Sequence, residues 1–275
     1  MSPRTPAVHR PAEALLTQRI SVLVVGCGGT GAALVSQLPY VHQALTAWGH
    51  RGGLRVTVMD PDTISPTNCV RQPFAESEVG LHKATVLVQR LNYFWGLDWA
   101  ADVRTMEADM VTHYDLVIGC VDNRRGRHAI WRATAKESRT AYWLDMGNNQ
   151  EDGQAVLGQP TNNRNRLAGD ARLPTAADLF PELVTLEGPD PAAGMPTCSA
   201  EEAITRQAPF INQTLAAHAC AMLTRLFRHG LTYHQVHLNL AAGRCSFGRI
   251  PAPPEPLAEA PSRPAATRQR RGVVA

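Results

Sequence analysis

Three stretches of the sequence carry residue types suited to a phosphorylated ligand. In "VVGCGGTGAAL" (24–34), Gly26, Gly28 and Gly31 fit the dinucleotide fingerprint, with Gly29 beside them. That pattern serves a tight turn, close approach of backbone to phosphate, and close packing of helix on strand. In "DPDTISPTNCVRQPF" (60–74), Asp62, Asn68, Arg71 and Gln72 follow Asp60, and "GLHKA" then supplies Lys83. In "LVIGCVDNRRGRHAI" (116–130), Asp122 and Asn123 lie just past an apolar run. The glycines alone serve a redox dinucleotide and an ATP triphosphate equally. An acid at the end of the second strand, Asp60, is placed for ribose hydroxyls, and a dehydrogenase needs little more. Cations flanking the glycine turn, Arg71 and Lys83, answer the extra charge of a triphosphate. An acid beside such a triphosphate, Asp122, makes sense chiefly with Mg²⁺ between them; taken singly it is also a candidate helix cap. The pattern G-x-x-x-x-G-K-[ST] is missing, which argues against a phosphate-loop NTPase.

These residues act together only if the fold gathers them. Apolar runs at 20–25, 54–59 and 115–120 have the length and composition of strands buried on both faces. Helical patterns separate them: 30–38, stopped by Pro39, then 42–48, a longer one at about 82–95, and another at about 124–138 before a strand "TAYWLDM". Strand alternating with helix predicts an α/β, doubly wound, mostly parallel Rossmann-like sheet, whose strand ends bring the three stretches to one crevice. A long irregular crossover segment, 159–198, holds six prolines. It divides a nucleotide-binding half, 20–158, from a helical and β-hairpin part, 199–250, which opens on a Ser199/Glu202 capping box, has a break at Pro209 and closes on strands around Ala242-Gly243. An N-terminal arm, 1–19, and a Pro/Ala/Arg-rich tail, 251–275, expected to be disordered, flank this domain, 20–250.

The net charge of +3 lies in the arm and tail, which hold +4 and leave the body near −1, so the body is not a general polyanion binder. "RQRR" (268–271) reads as a solvated tail rather than a nucleic-acid contact. No apolar stretch approaches a membrane span and the first residues lack a signal-peptide core, so a cytoplasmic protein is expected. The six cysteines form no C-x-x-C pair, and no zinc is expected. Cys27, Cys69, Cys120, Cys220 and Cys245 read as packing. Cys198, just before the capping Ser199, would feel a helix N-terminus, which favours the thiolate; a nucleophile and a structural thiol both stay open there. His234 and His237, three apart in a strand, point to opposite faces and read as satisfied or solvated histidines, and "LNYFWGLDW" as core and rim.

The order G-x-G-G-x-G (Gly26 to Gly31), D-x-D (Asp60, Asp62), N-x-x-R-Q (Asn68, Arg71, Gln72), G-x-x-K (Gly80, Lys83) and D-N-x-x-x-R (Asp122, Asn123, Arg127) resembles the ubiquitin-activating superfamily that includes the bacterial ThiF and MoeB proteins. Within it, "PTCSAEEAITRQAPFINQT" (196–214) is similar to the ThiF-type protein of the PRTRC gene cassettes. The resemblance implies ATP-dependent adenylation of the C-terminal carboxylate of a ubiquitin-like protein by a homodimer. It implies Mg²⁺ on Asp122, phosphates on Arg71 and Lys83 with support from Asn68, and ribose on Asp60. Catalytic roles then fall to Asp122, Arg71 and Lys83, with Cys198 as the candidate for a thioester step before a downstream conjugating protein. Arg10 is a candidate for reaching into a neighbouring subunit. Two alternatives stand beside this: a nicotinamide- or flavin-dependent oxidoreductase, and a non-catalytic nucleotide- or partner-binding module.

Overall fold

The computed structural model describes residues 7–187, 208 and 210–250. Eight strands form one sheet in the order β3-β2-β1-β4-β5-β6-β7-β8. They are β1 Ile20–Val25, β2 Leu54–Met59, β3 Ala100–Asp102, β4 Leu116–Gly119, β5 Tyr142–Asn148, β6 Asp152–Gly158, β7 Tyr233–Asn239 and β8 Arg244–Arg249. The first five pair in parallel and the last three antiparallel. The helices are α1 Ala14–Thr17, α2 Gly29–Ala47, α3 Lys83–Trp95, α4 Arg124–Thr134, α5 Ala176–Leu179 and α6 Ile211–His229.

Period-two alternation in the strands divides the core between the two sheet faces. Val22, Val24, Val56, Val58, Ile118 and Leu144 face α2, α3 and α6. Leu23, Val25, Val117 and Trp143 face α4 through Ala129, Ile130 and Ala133. Both faces are covered, which is why the central strands read as unbroken apolar runs.

Helix α2 continues through Pro39, where the sequence predicts two helices. A proline there removes one backbone hydrogen bond, at a cost of about 3 kcal/mol. Burial of Val35, Leu38, Val41 and Leu45 on both sides of it carries the helix across. Helix α4 ends at Thr134 rather than near 138. Strand β6 was not expected; its opening Asp-Gly belongs to a tight β5–β6 connection closed by the Asn149 N–H donating to the Asp152 carbonyl at 2.8 Å. The β7–β8 hairpin forms as expected. Cys245 is exposed instead of buried, because β8 is the edge strand; its sulfur lies 3.7 Å from His218 Nε2. In the aromatic stretch Trp99 is core, while Tyr93 and Phe94 stand in solvent. Cys198 and the Ser199/Glu202 capping box lie outside the described residues, as do Pro209 and the segment 251–275.

Candidate active site

Chain direction sets the location. The turns after β1, β2 and β4 leave the same sheet edge and are tied side by side: Gly26 N–H donates to the Met59 carbonyl at 2.9 Å and Cys120 N–H to the Val25 carbonyl at 2.8 Å. Above that edge lies a cleft of about 1320 Å³, lined by Gly26, Gly28, Gly29, Asp60, Asp62, Asn68, Arg71, Gln72, Lys83, Asp122 and Asn123. Gly31 does not line it.

The glycines divide the labour. Gly26 sits at φ +96°, and a Cβ on it would come within 2.7 Å of the Cys120 carbonyl oxygen. A Cβ on Gly31 would overlap the Gly26 carbonyl, so this glycine lets α2 pack against the turn. Around Gly28 there is open space, on the side where the N-terminus of α2 offers backbone N–H groups and the positive end of its dipole.

Asp60 is buried at the end of β2, and its carboxylate braces the turn: one oxygen accepts the Cys27 N–H and the other the Asp62 N–H at 2.8 Å. Burial lifts its carboxyl above the usual carboxylate range, against the pull of those two N–H donors. Each oxygen keeps a second lone pair for a ligand in the cleft. Lys83, the first residue of α3, is buried to within 6% of full cover, and its Nζ lies 2.9 Å from the exposed Asp62 carboxylate. With one partner solvated, that pair contributes about 0–1 kcal/mol, so the ammonium is held in position more than it is bound. Asn68 Oδ1 accepts the Ser65 N–H at 2.9 Å and fixes the 3-10 turn Pro66–Val70, from which Arg71 follows. Gln72 is buried, and its Oε1 has no hydrogen-bond partner among the described residues.

Asp122 and Asn123 have separate tasks. Asn123 caps α4, its Oδ1 accepting the Gly126 N–H at 2.8 Å. Asp122 is exposed and makes no ion pair among the described residues; one of its oxygens accepts from Asn123 Nδ2 at 3.1 Å. A single hard-oxygen donor at the cleft suits Mg²⁺, which is commonly held by one or two carboxylates together with ligand phosphates. No group of three His, Cys, Asp or Glu among the described residues makes a closed metal cage.

Beneath the cleft is a feature with no local signature in the sequence. Arg127 lines the floor, and its Nε lies 3.4 Å from Asp145 Oδ2. Asp145 is 1% exposed, and neither oxygen has a well-formed hydrogen bond among the described residues. Burial raises its carboxyl while the Arg127 charge draws it back down. Gly147 makes room for the guanidinium, since a Cβ there would lie 2.5 Å from Arg127 Nη2. Across the cleft, Asn148 at the end of β5 accepts from the Thr30 hydroxyl at 2.6 Å, and His237 and Asn239 of β7 extend the lining beyond the parallel strands.

His234 and His237 both have hydrogen-bond partners within the chain. His234 is buried and donates through Nδ1 to the Leu157 carbonyl at 3.0 Å; its Nε2 accepts from Gln235 Nε2 at 3.1 Å, and Gln235 Oε1 accepts from His237 at 3.2 Å. Cys27 and Cys120 have thiols raised by burial, and the Cys220 thiol is pushed up to about 12, consistent with inert packing cysteines. No helix among the described residues is long and apolar enough to cross a membrane.

Among solved structures, E. coli MccB with ATP aligns with a TM-score of 0.52 and 15% identity, covering 87% of this chain and 66% of that one. PaaA aligns with a TM-score of 0.56 and 12% identity, over 86% and 65% of the two chains. The tRNA N6-threonylcarbamoyladenosine dehydratase TcdA of E. coli shares 27% identity over 43% of this chain and 48% of its own, with a TM-score of 0.35. The chain thus spans from about half to about two thirds of the length of these proteins. No curated protein matches it. The ThiF family profile matches residues 8–255, the whole sheet and all of its cleft, and the chain belongs to the ThiF family.

Proposed function

We propose that the protein uses ATP to adenylate a carboxylate, and that the carboxylate is the C-terminus of a ubiquitin-like protein. One observation carries this: Arg71, Lys83 and Asp122 line the same cleft as the glycine turn and Asp60. A nicotinamide enzyme has no task for two cations and an unpaired acid at that place. Family membership and the likeness to an ATP-bound MccB fold support the same direction.

The chemistry joins two anions. A carboxylate oxygen bonds to the α-phosphorus, the bond between the α- and β-phosphates breaks, and pyrophosphate leaves. The chain's own residues lower the cost of that approach. Backbone N–H groups at the start of α2 face the phosphates, Lys83 and Arg71 neutralise them, and Asn68 holds the turn that carries Arg71. The lone pairs left on Asp60 receive ribose hydroxyls, with Asp62 and Gln72 beside them. Asp122 would hold Mg²⁺, which when bound supplies further charge neutralisation on the phosphates.

Finer assignments rest on the sequence. The stretch 196–214 supports membership of the PRTRC-type branch, the place of Cys198 before Ser199 supports transfer of the acyl group to that thiol before a downstream conjugating protein, and the homodimer rests on the family resemblance. The test is incubation with labelled ATP and candidate ubiquitin-like proteins. Asp122→Ala is expected to abolish pyrophosphate exchange with the fold retained by circular dichroism; undiminished exchange removes Asp122 from its role. Cys198→Ala should spare exchange and lose any thiol-sensitive adduct. Protection against thermal unfolding by NAD and not by ATP would overturn the proposal as a whole.

A further inference from the structure

On the sheet edge opposite the cleft, Lys136, Arg166 and Arg172 line a second hollow of about 320 Å³, to which no acidic residue among those described contributes. It shares no residue with the cleft. It lies where β5 begins and β6 ends, just past the C-terminus of α4. We propose that this hollow binds a small phosphate-class anion, an orthophosphate or diphosphate group.

Lys136 is the telling residue. The sequence meets its need for cations with arginine and contains only two lysines, Lys83 in the cleft and Lys136 here. Lys136 has φ +46°, a left-handed conformation that costs a side-chain-bearing residue about 1–2 kcal/mol and that glycine or asparagine adopts more cheaply. Two backbone bonds hold it there: its N–H donates to the Thr161 carbonyl at 3.1 Å, and its carbonyl accepts the Asn163 N–H at 3.0 Å. Strained, over-determined positions of this kind cluster at ligand sites. Neither Lys136 nor Arg166 has an ion-pair partner among the described residues. Arg172 is tied to Asp178 at 2.8 Å and to the Gln159 carbonyl, so it adds a fixed wall rather than a free charge.

The floor is built from two buried asparagines that consume the carbonyls beneath the hollow. Asn162 Nδ2 donates to Thr134 and Thr140 carbonyls at 3.0 and 2.9 Å. Asn165 Nδ2 donates to Thr140, Ala141 and Pro160 carbonyls at 3.2, 3.2 and 3.0 Å. Thr134 ends α4, so Asn162 covers an oxygen at the negative end of that helix, which would otherwise repel an anion. The hollow is at the lower limit of small-molecule sites, a size for one or two phosphate groups.

The scarcity of lysine supplies the test. Reductive ¹³C-methylation of the full chain keeps the charge and gives at most two lysine side-chain signals, and Lys136→Arg assigns one of them. Titration with inorganic pyrophosphate, and in parallel with orthophosphate, is expected to shift the Lys136 signal to saturation. Arg166→Ala should weaken that binding roughly tenfold, the loss of one charge-assisted contact. A shift matched by sodium chloride of equal ionic strength, or affinity unchanged in Arg166→Ala, overturns the proposal. Because Lys83 reports on the cleft, failure here leaves the proposed adenylation untouched.

Discussion

Arg127 and Asp145 sit in different elements, one on α4 and the other on β5, and meet because β4 and β5 are neighbours in the sheet. A motif search finds Arg127 as the last letter of D-N-x-x-x-R but gives it no partner, since the partner depends on strand order. The cleft glycines, Asp60, Asn68, Arg71, Lys83 and Asp122 were all legible, because each follows a strand end or opens a helix whose pattern is plain. The buried pair has a testable energy. Asp145→Ala leaves a guanidinium buried without its counter-charge and should lower the unfolding free energy by roughly 3–5 kcal/mol, measured by urea titration. Adding Arg127→Met to Asp145→Leu should recover most of that loss, since apolar residues of similar volume can replace a buried pair. Equal losses in the single and double variants would show that the pair does not act as a unit.

Pro39 shows where local rules fail at the level of elements. Taken alone it is a helix breaker, yet α2 runs 19 residues through it, because its buried face packs on the sheet and α6. Strand β3 was invisible for the opposite reason: three residues on a sheet edge are too short for a period. Pro39→Ala restores a donor to the helix and loses a few buried ring atoms. The gain, about 3 kcal/mol for the helix, exceeds the loss of about 2, so the protein should become about 1 kcal/mol more stable. For a domain of this size the thermal midpoint then rises by about 2–4 °C. A fall would mean that the proline sets the shape of α2 rather than straining it.

Across the whole molecule, the first described residues are fastened to the last strands. His9 and Leu231 exchange backbone hydrogen bonds at 2.8 Å, and His9 Nε2 lies 2.7 Å from the Tyr142 hydroxyl. Burial lowers the pKa of both His9 and His234, and the two repel when both are charged. The unfolded chain therefore binds more protons than the folded one as pH falls through about 6.5. Stability present above that pH is lost below it, by no more than about 1.4 kcal/mol per pH unit for each histidine. Asp60 and Asp145, raised by burial, act with the opposite sign, starting from the carboxylate range upward. Urea midpoints between pH 7.5 and 5.5 should fall for the natural chain and fall less for His9→Gln; parallel slopes would sink the assignment to His9.

The switch from parallel to antiparallel pairing after β5 has its own effect on the cleft. Strands β6 and β7 run in opposite directions, so the short connections at 149–151 and 240–243 both emerge beside the cleft, joined where the Leu240 N–H meets the Glu151 carbonyl at 2.7 Å. One bank of the cleft is thus made of the loops that carry Gly28, Asp60, Arg71, Lys83 and Asp122, and the other of two reverse turns that carry none of them. Insertions in those turns are expected to reshape the second bank while leaving the residues of the proposed adenylation untouched, which makes this bank the natural place to graft a new specificity.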